Sequence, residues 1–175
     1  CIPKGCHLLG TLFYFCGMKK FSLLLLLLFV SSYIYANKII QGRIIKVTDG
    51  DTVTLLAKNN KKIKVRLYGI DCPEKKQEFG QTATNYLSST IYNKNVKIEV
   101  KNKDRYQRSV GVIWLDNTNI NLSLLKQGLA WHYTQYDKSQ SYADAEKAAR
   151  KAKKNIWSTK NPIAPWDFRK NKTKK

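Results

Sequence analysis

Three short segments hold the residues that could do chemistry. The first is Asp49-Gly50-Asp51-Thr52, the second Arg66-Leu67-Tyr68-Gly69-Ile70-Asp71-Cys72-Pro73-Glu74, and the third Asp104-Arg105-Tyr106-Gln107-Arg108. Each alone reads as ordinary surface: a hairpin turn, a charged strand ending at a proline, a polar loop. Together they offer carboxylates for a hard cation, a further carboxylate to activate water, and two guanidiniums. Asp51 and Asp71 are hard oxygen donors suited to calcium rather than zinc. A cation so held polarises a phosphoryl oxygen. Glu74 can orient or deprotonate water, and Arg66 and Arg108 can clamp the oxygens of a phosphate as charge builds on it, with a fork that lysine lacks. That is the equipment for hydrolysing a phosphodiester.

Composition narrows the field. Thirty-two Lys+Arg against twelve Asp+Glu give a formal charge of +20. Residues 1–36 hold only Lys4, Lys19 and Lys20 and no acid, so 37–175 carries 29 cations against 12 acids, a net +17. The cations run along the whole body, which points to a polyanionic partner. Cys1, Cys6 and Cys16 precede the one methionine, Met18, and Cys72 is the single cysteine of the body, so no disulfide forms within it. No CxxC or Cys/His cluster suggests zinc. With His7 and His132 as the only histidines, chemistries that need paired histidines are excluded.

The elements that must position these side chains are mostly strands. Ile39 to Val47 is rich in β-branched residues and runs to Asp49-Gly50, a hairpin signal. Thr52–Leu56 reads as a second strand, Ile63–Ile70 as a third ended by Pro73, Val96–Val100 as a fourth and Val110–Leu115 as a fifth. Residues 78–92 read as a helix with Ala83, Tyr86, Leu87 and Ile91 on one face. A short helix over Asn121–Lys126 ends at Gly128, and 139–154 reads as a basic helix. Trp157 to Lys175, with two prolines and many lysines, reads as loosely held. Five strands with a helix between the third and fourth suggest a small, partly open barrel of the OB type, a fold that commonly binds oligonucleotides.

Met18-Lys19-Lys20, the apolar run Phe21–Val30 and the small residue Ala36 have the layout of a secretory signal over 18–36. The apolar run falls short of the ~20 residues that span a bilayer comfortably. Cleavage is expected near Ala36, so the membrane is met only transiently and the product is exported, to the medium or the periplasm and envelope. Residues 1–17, which lack a methionine, are expected to be translated upstream sequence.

In their order along the chain, these segments resemble the thermonuclease (staphylococcal-nuclease-like) family. The likeness covers about residues 40–160. It includes the acidic turn, the R-x4-D-x-P-E and D-R-Y-x-R segments, Gln127-Gly128-Leu129-Ala130 and Asn155-Ile156-Trp157. It implies an α+β fold, a five-stranded OB barrel with about three helices, over 37–160, followed by a basic tail at 161–175. It implies calcium held by Asp51, Asp71 and the main-chain carbonyl of Cys72, with Glu74 as general base and Arg66 and Arg108 stabilising the transition state. Arg105, Tyr106 and Tyr136 would line the nucleotide groove. The implied reaction is cleavage of DNA and RNA with little sequence specificity, leaving 3′-phosphates, by a monomer with no obligate protein partner and a preference for single strands. Gln107 stands where the family often has Gly, and Cys72 where it often has Thr. The stretch Trp131-His132-Tyr133 does not align tightly, which leaves a second groove tyrosine open, and His132 reads as a surface or half-buried residue rather than a catalytic one.

Two other functions fit part of the pattern. A non-catalytic single-strand binder would use the basic charge and the Tyr and Trp rings, but leaves the five ordered catalytic side chains unused. A protein of the membrane surface would need a long amphipathic basic helix, and 139–154 is the only one.

Overall fold

The computed structural model describes residues 38–173, and side chains up to residue 171. The expected signal over 18–36 and residues 1–17 lie outside the described residues. The elements run β1 (Lys38–Asp49), β2 (Thr52–Ala57), β3 (Lys62–Leu67), β4 (Ile70–Asp71), α1 (Gly80–Ile91), β5 (Asn95–Lys103), β6 (Ser109–Leu115), β7 (Thr118–Asn119), α2 (Ile120–Lys126), β8 (Trp131–His132), α3 (Gln140–Lys151), a 3-10 turn (Asn155–Ser158) and α4 (Pro165–Thr173).

The main sheet has the order β3-β2-β1-β5-β6-β7, and β3 also pairs with β6 in parallel. That extra pairing closes the five long strands into a barrel, so the expected opening is absent. Closure removes the free edges that an open sheet would leave. Strand alternation sends Val53, Leu55, Val65, Leu67, Ile98 and Ile113 inward, each nearly or fully buried. Helix α1 places Ala83, Leu87 and Ile91 four residues apart, so one stripe enters the same core.

Three elements differ from the sequence reading. The third strand stops at Leu67. A turn at Tyr68-Gly69 follows, and Ile70-Asp71 pairs with Trp131-His132 as a separate two-stranded ladder. Buried Asn121 secures this turn: its Nδ2 donates to the carbonyls of Tyr68 (2.9 Å) and Gly111 (3.3 Å), while its Oδ1 accepts from the Ile113 amide (3.1 Å). The helices number four among the described residues, not three. The fourth, α4, lies in the stretch expected to be loose. Pro165 opens it, as proline suits a first helical position, and Asp167 sits in its first turn.

Candidate active site

The register of the barrel builds the site. Arg66 pairs across β2–β3 with Thr52, next to Asp51, and across the parallel β3–β6 pair with Val110, two residues after Arg108. The turn at Tyr68-Gly69 then reverses the chain and returns Asp71 to Arg66. The result is an ion pair from Arg66 Nη1 to Asp51 Oδ1 and another from Nη2 to Asp71 Oδ1 at 2.5 Å. Asp51 is 3% exposed and Asp71 0%. Buried carboxylates persist as charges only when paired and hydrogen-bonded, and here one guanidinium serves both.

The rest of the shell holds Asp51 in place. Its Oδ2 accepts from the Cys72 amide at 2.8 Å and its Oδ1 from the Thr52 hydroxyl at 3.2 Å. Gly50 makes this packing possible, since a Cβ there would lie 2.7 Å from Cys72 Cβ. The Cys72 thiol is buried against the Gly50 carbonyl, and burial pushes its pKa well above the ordinary thiol value. It is an inert packing group, which agrees with a role for Cys72 through its main chain alone. Glu74 follows Pro73. Its amide donates to Gln77 Oε1 (3.1 Å), and its carbonyl lies so close to Gly80 that any Cβ there would overlap it. Helix α1 therefore starts against the Glu74 loop and fixes it.

Arg108 sits in the β5–β6 loop, one residue before β6 rather than within it. Asp104 organises that loop. Its Oδ1 accepts from the amides of Tyr106 and Arg108, both at 2.9 Å, and its Oδ2 from Arg108 Nε at 2.6 Å. Burial opposes the charge on Asp104, but the bonds from Arg108 and Tyr106 outweigh it and hold the carboxyl below its ordinary range. The stabilisation is thus present at neutral pH and lost as the pH falls through that lowered value. Gln107 takes φ 61, the left-handed conformation that explains why glycine suits this position. The guanidiniums of Arg105 and Arg108 lie 4.9 and 5.5 Å from the Tyr106 ring centroid.

Eight of the nine residues singled out in the sequence, Asp51, Arg66, Cys72, Glu74, Arg105, Tyr106, Arg108 and Tyr136, line one open cleft of about 730 Å³; the ninth, Asp71, is fully buried and pairs with the lining residue Arg66. Tyr106 and Tyr136 are 66% and 58% exposed, open faces on which a base could stack. Among the described residues no three His, Cys, Asp or Glu side chains gather into a metal cage. Asp51 and Asp71, two buried carboxylates converging on one cation, still make an all-oxygen donor pair that fits a hard divalent ion.

The sequence reading gave no role to two participants, Tyr68 and Arg169, and left a third, Tyr133, open. Tyr133 also lines the cleft, its ring 5.0 Å from Tyr136. Tyr68 donates to the Tyr136 carbonyl at 2.5 Å and so anchors the tyrosine loop. Arg169, from α4, reaches Asp71 and Glu74. Arg169 falls in the stretch that reads as loosely held, so nothing local marked it. His132 proves buried, 5% exposed, and bonded to Asp137 at 3.0 Å, a structural role away from the cleft's catalytic groups.

The family model described as Staphylococcal nuclease homologue matches residues 64–159. A Haemophilus influenzae protein described as an uncharacterized endonuclease is 47% identical over 128 residues, covering 73% of this chain and 72% of its own length. An Escherichia coli protein with the same description is 34% identical over 156 residues, 89% of this chain and all of its own. The staphylococcal-like nuclease CAN1 of Arabidopsis thaliana is 42% identical over 112 residues, 64% of this chain and 35% of its own. With the barrel, the ordered motifs and these relatives in agreement, the chain belongs to the staphylococcal nuclease homologue family of phosphodiester-hydrolysing nucleases.

Proposed function

We propose that this nuclease is an exported, calcium-dependent enzyme that cleaves DNA and RNA with little sequence specificity and leaves 3′-phosphate ends. The observation that carries the reading is the bridge from Arg66 to both Asp51 and Asp71 at the floor of an open cleft that Glu74 and Arg108 also line. Asp51, Asp71 and the Cys72 carbonyl would hold the ion. When bound, calcium supplies Lewis-acid polarisation of a phosphoryl oxygen. A site with so few protein ligands suggests weak affinity, on the order of 10⁻⁴–10⁻³ M as in extracellular modules, which would confine activity to calcium-rich surroundings.

The chain's own residues do the rest. Glu74 orients the attacking water and takes its proton as oxygen bonds to phosphorus. The P–O5′ bond breaks, and the departing 5′-oxygen gains a proton from solvent. Arg66 and Arg108 meet the growing charge on the phosphoryl oxygens with preorganised guanidiniums. Arg105, Tyr106 and Tyr136 hold the flanking nucleotide by charge and stacking.

A tyrosine-lined basic cleft favours backbone charge and unstacked bases over sequence. Single strands and breathing A·T-rich duplex should therefore be cut faster than stable G·C-rich duplex, and binding should weaken steeply with salt. Tyr136→Ala should mainly raise KM, because stacking is similar in the ground and transition states. Steady-state kinetics on matched oligonucleotides test this. Equal rates on single strands and G·C-rich duplex, or a Tyr136→Ala loss confined to kcat, would count against it. Export rests on the layout of residues 18–36. Sequencing of the exported protein should find a first residue at or near Asn37, whereas an intact 18–36 on active protein would make that segment an anchor.

A further inference from the structure

The reaction above leaves one arginine of the cleft unused. Arg169 Nη2 donates to Asp71 Oδ2 at 2.7 Å, Nη1 to Glu74 Oε1 at 2.8 Å, and Nη1 more distantly to Asp71 Oδ1 at 3.4 Å. One guanidinium thus spans a candidate cation ligand and the candidate base. Its helix is docked by other contacts. Trp166 stacks on Tyr133, with centroids 5.3 Å apart and planes at 11°, and meets Trp131 edge-on at 5.7 Å. Gln77 Nε2 donates to the Ile163 carbonyl at 2.6 Å just before the helix begins.

We propose that Arg169 is the internal counter-ion of the candidate cation site, holding Asp71 and Glu74 until a divalent cation displaces its guanidinium. The inference rests on reading Asp51 and Asp71 as the ligands of that cation. Charge supports it. Asp51, Asp71 and Glu74 bring three negative charges, and Arg66 supplies one positive charge to two of them. Asp71 has no access to solvent, so leaving half its charge uncompensated would be costly, and Arg169 supplies the missing partner. A divalent cation on Asp71 would meet a guanidinium already on the same carboxylate, and two such cations a few ångströms apart repel. The Arg169 side chain is 45% exposed, so it has a path into solvent while Trp166 keeps the helix docked. Release also frees Glu74, so one event would both open the cation site and uncover the base. The basic tail then sets how much calcium the enzyme needs, a role separate from catalysis.

The test is calcium binding to the protein by equilibrium dialysis, with no substrate present. Arg169→Gln should lower the calcium Kd about tenfold, within the usual range of coupling between two ligands that compete or cooperate. Arg169→Lys, which keeps the charge and the helix but not the fork, should fall between. Lys170→Gln, removing a neighbouring cation outside the cleft lining, should change Kd less than twofold and so exclude a general effect of net charge. In the parent, the Nε–H NMR signal of Arg169, assigned by its loss in Arg169→Gln, should move on calcium addition toward that of a solvated arginine. If the parent binds calcium and Arg169→Gln binds it equally or more weakly, the counter-ion role is overturned while the calcium site stands. If neither parent nor variants bind calcium at millimolar concentrations, the calcium site and the counter-ion role fall together.

Discussion

Arg66→Lys is expected to lower kcat about 10³-fold while the barrel stays folded. The loss of a single preorganised donor at a developing oxyanion typically costs 10²–10³, and Arg66 has further duties. Its two terminal nitrogens reach Asp51 and Asp71 separately, from a strand position fixed by pairing on both sides. An ammonium is a single point charge and cannot meet two carboxylates and a phosphate from one plane. Arg66→Gln removes the charge altogether and should also cost roughly 3–5 kcal/mol of stability, the usual penalty for leaving a buried carboxylate without its partner. Steady-state kinetics on a defined oligonucleotide, with circular dichroism and urea unfolding alongside, separate the two effects. A kcat for Arg66→Lys within a few-fold of the parent would remove Arg66 from the chemistry.

The second large effect is expected at Glu74. Glu74→Gln keeps size and hydrogen-bonding reach but cannot accept a proton from water, so kcat should fall by roughly 10²–10⁴. The loop should not move, because the Gln77 contact and the close approach of Gly80 involve the Glu74 main chain rather than its carboxylate. Retained KM with lost kcat is the signature of a group needed in the transition state. Unchanged single-turnover rates would reassign the base.

How much of this was legible in the sequence depends on how local each feature is. Alternation from Val53 to Leu55 and from Val65 to Leu67 is a local pattern, and those strands and their buried faces follow from it. The acidic turn and Arg66 are likewise readable in place. Asp71 is harder. A strand running unbroken from Ile63 to Ile70 would place Asp71 about 17 Å from Arg66, and on the opposite face. The turn at Tyr68-Gly69 undoes both, and what secures it is Asn121, 53 residues beyond Tyr68, whose buried amide no local pattern reveals. Tyr133 enters the cleft through the β4–β8 ladder, again a long-range pairing. Arg169 was hidden for another reason. Lysines and prolines in its surroundings resemble a solvated tail, and only the docking of Trp166 on Tyr133 turns that tail into part of the cleft.

The most direct measurement is hydrolysis of an end-labelled oligonucleotide by the purified protein in calcium, in magnesium and in excess chelator, with the ends of the products identified. Rapid cleavage is expected in calcium, little in chelator, and 3′-phosphate with 5′-hydroxyl ends. Full activity in chelator would contradict the use of Asp51 and Asp71 as cation ligands, and 5′-phosphate ends would contradict the direction of attack.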